Sequence, residues 1–171
     1  MKNKTNYKIA LTSVMCALAI ALGFCENLIP ALPFFPPGAK PGLSNIVVMF
    51  AAGNLGLPYA LAITLVKGGF AFVTRGATAA FMSLSGGILS TVVSFLLLKY
   101  GAKKLGLTGI SVISALSHNG GQLAASVIIT GSKMTAYYAP ALALFGVITG
   151  ILTGVILRAV LPAAEKVIKT E

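Results

Sequence analysis

Aspartate and tryptophan are absent, and the 171 residues hold one histidine, two cysteines and three acids, Glu26, Glu165 and Glu171. Without aspartate there is no paired-carboxylate catalytic site and no Asp-rich magnesium clamp for a diphosphate. Cys16 and Cys25 fall on one expected helix, roughly 13 Å apart, too far for a disulfide. With a single histidine, His118, they cannot complete a zinc site. No G-x-x-x-x-G-K-[ST] loop is present, so the chain does not draw on ATP by itself. Serines are plentiful, but one histidine and no aspartate make a poor basis for a hydrolytic triad. These absences argue against an enzyme, and neither a metal nor a cofactor is expected.

Charge is scarce as well. Only 9% of residues are charged and 57% are hydrophobic, against about 25% charged in a soluble domain. The composition is that of an all-α integral membrane protein. A net charge of +10 would suggest nucleic acid in a soluble protein. In a membrane protein it marks loops on the anionic cytoplasmic leaflet, so no nucleic-acid partner is expected and membrane lipid is.

Apolar runs and their breaks predict six transmembrane helices in a single membrane domain, 1–171. Their expected spans are about 9–25, 44–53, 57–74, 77–98, 107–131 and 140–161. The basic N-terminus before an uncharged run resembles a signal peptide, but no small-residue cleavage site follows. Five of the eight prolines stand between residues 30 and 41, which rules out a regular helix there. The segment 26–43 is also apolar, including Phe34 and Phe35. Such a loop folds over a cavity or rests on the membrane surface. Asn54 to Pro58 breaks the next run, and K-Y-G-A-K-K-L-G at 99–106 reads as a short basic loop. Nine basic residues fall on the side of the termini and three (Lys40, Arg75, Lys133) on the other. This bias predicts cytoplasmic termini and an external proline loop.

Polar groups inside the apolar runs carry the functional signal. No charged residue occurs from Leu105 to Ser132, yet His118, Asn119 and Gln122 sit mid-run. Spacings of three and four put them on one helix face. They face a neighbouring helix as interhelical glue, or line a cavity near mid-membrane. Lys67, about ten residues into the third helix, costs roughly 2.5–3.5 kcal/mol at the bilayer centre and needs a partner. That partner is either Glu26, as an ion pair, or the anionic group of a substrate beneath Arg75 and Lys40. The glycines beside Lys67 and His118 would let a ligand approach the backbone. Ser13, Ala17 and Ala21 form a small-residue stripe that admits another helix closely. Gly146, Gly150 and Gly154 form a second.

Two segments carry a resemblance. P-P-G-A-K-P-G-L-S-N-I-V at 36–47 and S-x-x-S-H-N-G-G-Q-L at 114–123 resemble signature segments of the Gx transporter family. That family is also known as heptaprenyl diphosphate synthase component I, and the similarity spans nearly the whole chain. It resembles the S components of energy-coupling factor (ECF) transporters: six-helix subunits of the bacterial cytoplasmic membrane that bind a vitamin-like substrate. These dock on a transmembrane coupling protein with two ATPase subunits. The resemblance implies an ECF-like substrate-binding subunit for a vitamin-like or cofactor-related molecule, such as a flavin, quinone or isoprenoid precursor. The site expected from the intramembrane polar groups and the loop is Lys67, His118, Asn119, Gln122, Arg75, Glu26, Asn45, Lys40, Phe34 and Phe35. Ser13, Ala17 and Ala21 would be the docking face. The alternatives are an accessory membrane subunit of a prenyl diphosphate synthase or quinone biosynthesis system, and a self-sufficient channel or small carrier.

Overall fold

The computed structural model describes the main chain over residues 2–28 and 42–169, with side chains over 5–28, 42–132 and 134–163. Six α-helices follow one another: α1 (Lys2–Leu28), α2 (Leu43–Asn54), α3 (Leu57–Arg75), α4 (Ala77–Tyr100), α5 (Ala102–Thr130) and α6 (Ala139–Lys169). A 3-10 turn, Lys133–Tyr138, precedes α6. Connections of one or two residues make α2, α3, α4 and α5 successive antiparallel neighbours. The link at Gly76 requires glycine, because its φ of 85° lies where other residues are strained.

Among the described residues, four segments are long and apolar enough to cross a bilayer: Thr5–Leu28, Leu57–Arg75, Ala77–Tyr100 and Met134–Ala163. Helix α5 has the length, but its polar centre dilutes its hydropathy. Helix α2, with 12 residues, reaches only about 18 Å, short of the roughly 30 Å of a hydrocarbon core. It is instead the most enclosed helix. Val47, Val48, Ala51 and Ala52 pack with Ala19, Leu55, Ala60 and Ile63. Met49 and Phe50, on its other side, meet Ile110 and Leu157. The outer surface is apolar: Val14, Val73, Ile128 and Leu144 are among many large exposed hydrophobic side chains. Thr64, Thr91, Ser94 and Ser111 are buried. Polar inside and apolar outside is the arrangement lipid requires.

The helices extend beyond the expected spans. Hydropathy marks the length a membrane would cover, whereas a helix ends where its hydrogen-bond ladder ends, so α1 begins at Lys2 and α6 continues through Pro162. The basic stretch 99–106 is not a loop: it holds the last two residues of α4, a single turn residue, Gly101, and the start of α5, which kinks at Gly106 (φ 62°). The proline loop starts later than expected, since Glu26 to Leu28 are still helical.

Glycines bring α5 into backbone contact with both neighbours. A Cβ on Gly121 would lie 2.8 Å from the Gly86 Cα, and one on Gly86 would lie 2.5 Å from the His118 carbonyl oxygen. On the other side, the Gly146, Gly150 and Gly154 stripe of α6 seats on Leu116, Val112 and Thr108 of α5. Both rows have a spacing of four, and they run antiparallel. Gly150→Leu should therefore destabilise the protein by about 1–3 kcal/mol, because a backbone atom is the obstacle and cannot rotate away. Gly120 has nothing within 4 Å of a built Cβ, so Gly120→Ala should leave stability unchanged or raise it. Thermal unfolding in detergent separates the two, and equal melting of Gly150→Leu and the parent protein would contradict the α5–α6 contact.

Candidate functional site

The polar groups of the inner surface converge on a cavity of about 110 Å³, several times what one water needs. Its lining runs from Arg75, beside the 75–76 connection, to Ser94 and Ser111, past the middle of α4 and α5. All six helices contribute to it.

Helix α5 supplies the most chemistry. The contact at Gly86 and Gly121 presses its polar face toward α4. His118 Nδ1 lies 3.3 Å from Ser90 Oγ, and its Nε2 lies 3.0 Å from Gln122 Nε2, one turn on. Ser90 Oγ–H donates to the Gly87 carbonyl. The Nδ1–H tautomer then satisfies every group: the ring donates to Ser90 and accepts from Gln122. Asn119 donates its amide to the Leu142 carbonyl of α6 at 2.9 Å. His118, Asn119 and Gln122 thus tie helices together and line the cavity at once.

Opposite stands the N-terminus of α2. Gly42 precedes it in the left-handed region and offers no side-chain cap. Glu26, buried at the end of α1, supplies one instead. Its carboxylate accepts from the Ser44 N–H at 3.0 Å and the Ser44 Oγ–H at 3.3 Å. A negative group at a helix N-terminus also meets the positive end of the helix dipole. The next residue, Asn45, accepts from Lys67 Nζ at 2.7 Å. Acid and cation are therefore held by consecutive residues of α2, both inside the cavity lining.

Deeper in, the walls carry hydroxyls from three helices, and most donate to carbonyls of their own helix. Ser114 differs. Its Oγ is buried and has no hydrogen-bond partner among the described residues, although the residue lines the cavity. A polar atom left so costs about 1–3 kcal/mol. Sequence reasoning passed over Ser114 as a site residue, although it opens the motif at 114–123. One neutral serine among many carries no distinguishing signal.

The cavity brings together Lys67, His118, Asn119, Gln122, Glu26 and Asn45, and Arg75 joins its lining from the exposed end of α3. Lys40, Phe34 and Phe35 lie outside the described residues. The glycines expected to admit a ligand do other things: Gly68 packs under Leu84, Gly121 meets Gly86, and Gly69 and Gly120 are exposed away from the cavity. Ser13, Ala17 and Ala21 are exposed along α1. Among the described residues no group of three His, Cys or acidic side chains is placed to hold a metal.

Comparison with known proteins places this architecture. No curated protein matches the chain. A solved structure described as "Structure and mechanism of the S component of a bacterial ECF transporter" has 18% sequence identity to it. That match covers 96% of this chain and 99% of the other, with a TM-score of 0.75. At this identity the likeness is one of fold: a membrane-embedded, six-helix, S-component bundle. The family model described as heptaprenyl diphosphate synthase component I matches residues 15–160, nearly the whole helical bundle, and the chain belongs to that family.

Proposed function

We propose that the protein is the substrate-binding subunit of an ECF-type transporter in a bacterial cytoplasmic membrane, and that it is not an enzyme. The observation that carries this reading is the cavity: Lys67, His118, Asn119 and Gln122 line one space in a fold shared with an S component. The substrate is a small vitamin-like or cofactor-related molecule with an anionic part. Lys67 and Arg75 neutralise that part, and His118, Asn119 and Gln122 meet its polar edge. Flavins, quinone precursors and isoprenoid precursors are the candidate classes. The 1–171 chain acts as one membrane domain with cytoplasmic termini and an external proline loop. It docks through Ser13, Ala17 and Ala21 on a transmembrane coupling protein that carries two ATPases. The family's description favours a second reading, an accessory subunit of a prenyl diphosphate synthase. Copurification decides between them: a coupling protein with ATPases, or a soluble synthase.

The binding reading is tested by mass spectrometry of small molecules retained through gentle purification. Lys67→Met keeps the length and removes the charge, so it should weaken retention by about ten- to a hundredfold, or about 1.5–3 kcal/mol. The fold should survive, since an intramembrane charge is removed. Retention unchanged in both Lys67→Met and the Lys67→Met, Glu26→Gln double variant would take Lys67 out of the site.

The docking face is tested with Ala17→Leu and Ala21→Leu together. The small stripe works by close backbone approach, so the pair should prevent assembly with the coupling protein and spare small-molecule retention. An intact complex would place docking elsewhere.

Orientation is tested by thiol labelling with Cys16 and Cys25 replaced by alanine. Tyr137→Cys, exposed at the cavity end, should react from outside intact cells, and Lys103→Cys only after permeabilisation. The reverse pattern would invert the topology.

A further inference from the structure

Each of three amides in the cavity lining spends one of its two polar ends on the protein, and the end it spends decides what it offers. Asn119 gives its nitrogen to the Leu142 carbonyl, so its Oδ1 is left over. Asn45 does the reverse: its Oδ1 accepts from Lys67, and its nitrogen is left over. Gln122 sets its nitrogen 3.0 Å from His118 Nε2. A ring nitrogen can accept or donate, so the tautomer of His118 settles which way the Gln122 amide is turned.

That tautomer is set from the neighbouring helix. Ser90 Oγ–H donates to the Gly87 carbonyl at 3.0 Å, and the same oxygen lies 3.3 Å from His118 Nδ1. With its proton given away, Ser90 can only accept. Nδ1 therefore carries the ring proton, and Nε2 takes one from Gln122. A relay runs from Gly87 through Ser90 and His118 to Gln122, and it leaves Gln122 Oε1 turned away from the ring. Both ring nitrogens are used up within it.

The two amide oxygens of α5 are open. Neither Asn119 Oδ1 nor Gln122 Oε1 meets a donor among the described residues. Neither is shut away from solvent, since the buried side-chain atom without a partner among those residues is Ser114 Oγ. Asn119 and Gln122 are half-buried, three residues apart on one face of α5, and both line the cavity.

We infer that Ser90 and His118 are positioning residues: they hold Gln122 with its carbonyl free, and Gln122 and Asn119 together form a pair of acceptors for N–H or O–H groups of the substrate. This rests on the reading of the cavity as the substrate site, and it changes the part His118 plays there. The ring reaches the substrate only through Gln122. A molecule that turns carbonyl or ether oxygens toward α5 would set lone pairs against lone pairs and forfeit both bonds, and sites built to hydrogen-bond a substrate reject analogues that lack the group.

The ring can be read directly, because His118 is the chain's single histidine. Nitrogen-15 NMR of the full chain in lipid nanodiscs, labelled at histidine and free of a histidine tag, should show a protonated Nδ1 and a bare Nε2. Two matched pairs of anions then probe the acceptors: flavin mononucleotide with its N3-methyl derivative, and 1,4-dihydroxy-2-naphthoate with its dimethyl ether. At least one parent should bind about five- to tenfold more tightly than its methylated partner, as gain of a neutral hydrogen bond allows. Gln122→Met, of similar volume, should lower that ratio, and so should Ser90→Ala, which acts on Gln122 only through the ring. A bare Nδ1, or a ratio untouched by either substitution, would overturn the relay and leave the cavity as the site. A parent bound no more tightly than its methylated partner would overturn the acceptor pair, again leaving the site. Binding of neither parent would overturn the acceptor pair and the site together.

Discussion

Helix α5 can lie in a membrane only because two neighbours approach it to backbone contact. It carries a histidine, two amide side chains and several serines, groups that lipid does not accommodate. Gly86 and Gly121 close the α4 side, and Gly146, Gly150 and Gly154 close the α6 side. With only glycines at these contacts, most of its polar groups come within reach of a partner: Ser90 for His118, the Leu142 carbonyl for Asn119, Thr153 for Ser111. What remains between the helices on the third side is the cavity. The site is thus a by-product of tight packing elsewhere.

The second organising element is the start of α2. A short, enclosed helix with no side-chain cap of its own depends on a carboxylate from α1, and the adjacent residue fixes the lysine of α3. Three helices meet at two consecutive residues, Ser44 and Asn45. This arrangement also gives the buried acid and the half-buried cation defined partners, which an apolar environment demands of both.

Much of this was legible in the sequence. Asn54 to Pro58 and Arg75–Gly76 marked real helix ends, because proline and glycine act locally. Lys67, His118, Asn119 and Gln122 stood out because an intramembrane polar group needs a reason. Glycine roles were not legible: spacing shows that a helix can be approached closely, but not by what. Gly68 and Gly121 therefore read as room for a ligand and turned out to seat Leu84 and Gly86. The helix ends at Lys2 and Lys169 were missed because a helix continues beyond its apolar length. Ser114 was missed for a different reason, since its distinction is the absence of a partner, which only three-dimensional packing reveals.

The self-satisfied hydroxyls of the cavity wall bear on the timing of exchange. Because those groups bond to carbonyls of their own helices, the wall needs no rearrangement whether the space is filled or empty. Little ordering is then required of it on binding, a cost that otherwise slows association and weakens the complex. On the reading of the cavity as a binding site, residence time is left to the cations at its outer end, Lys67 and Arg75.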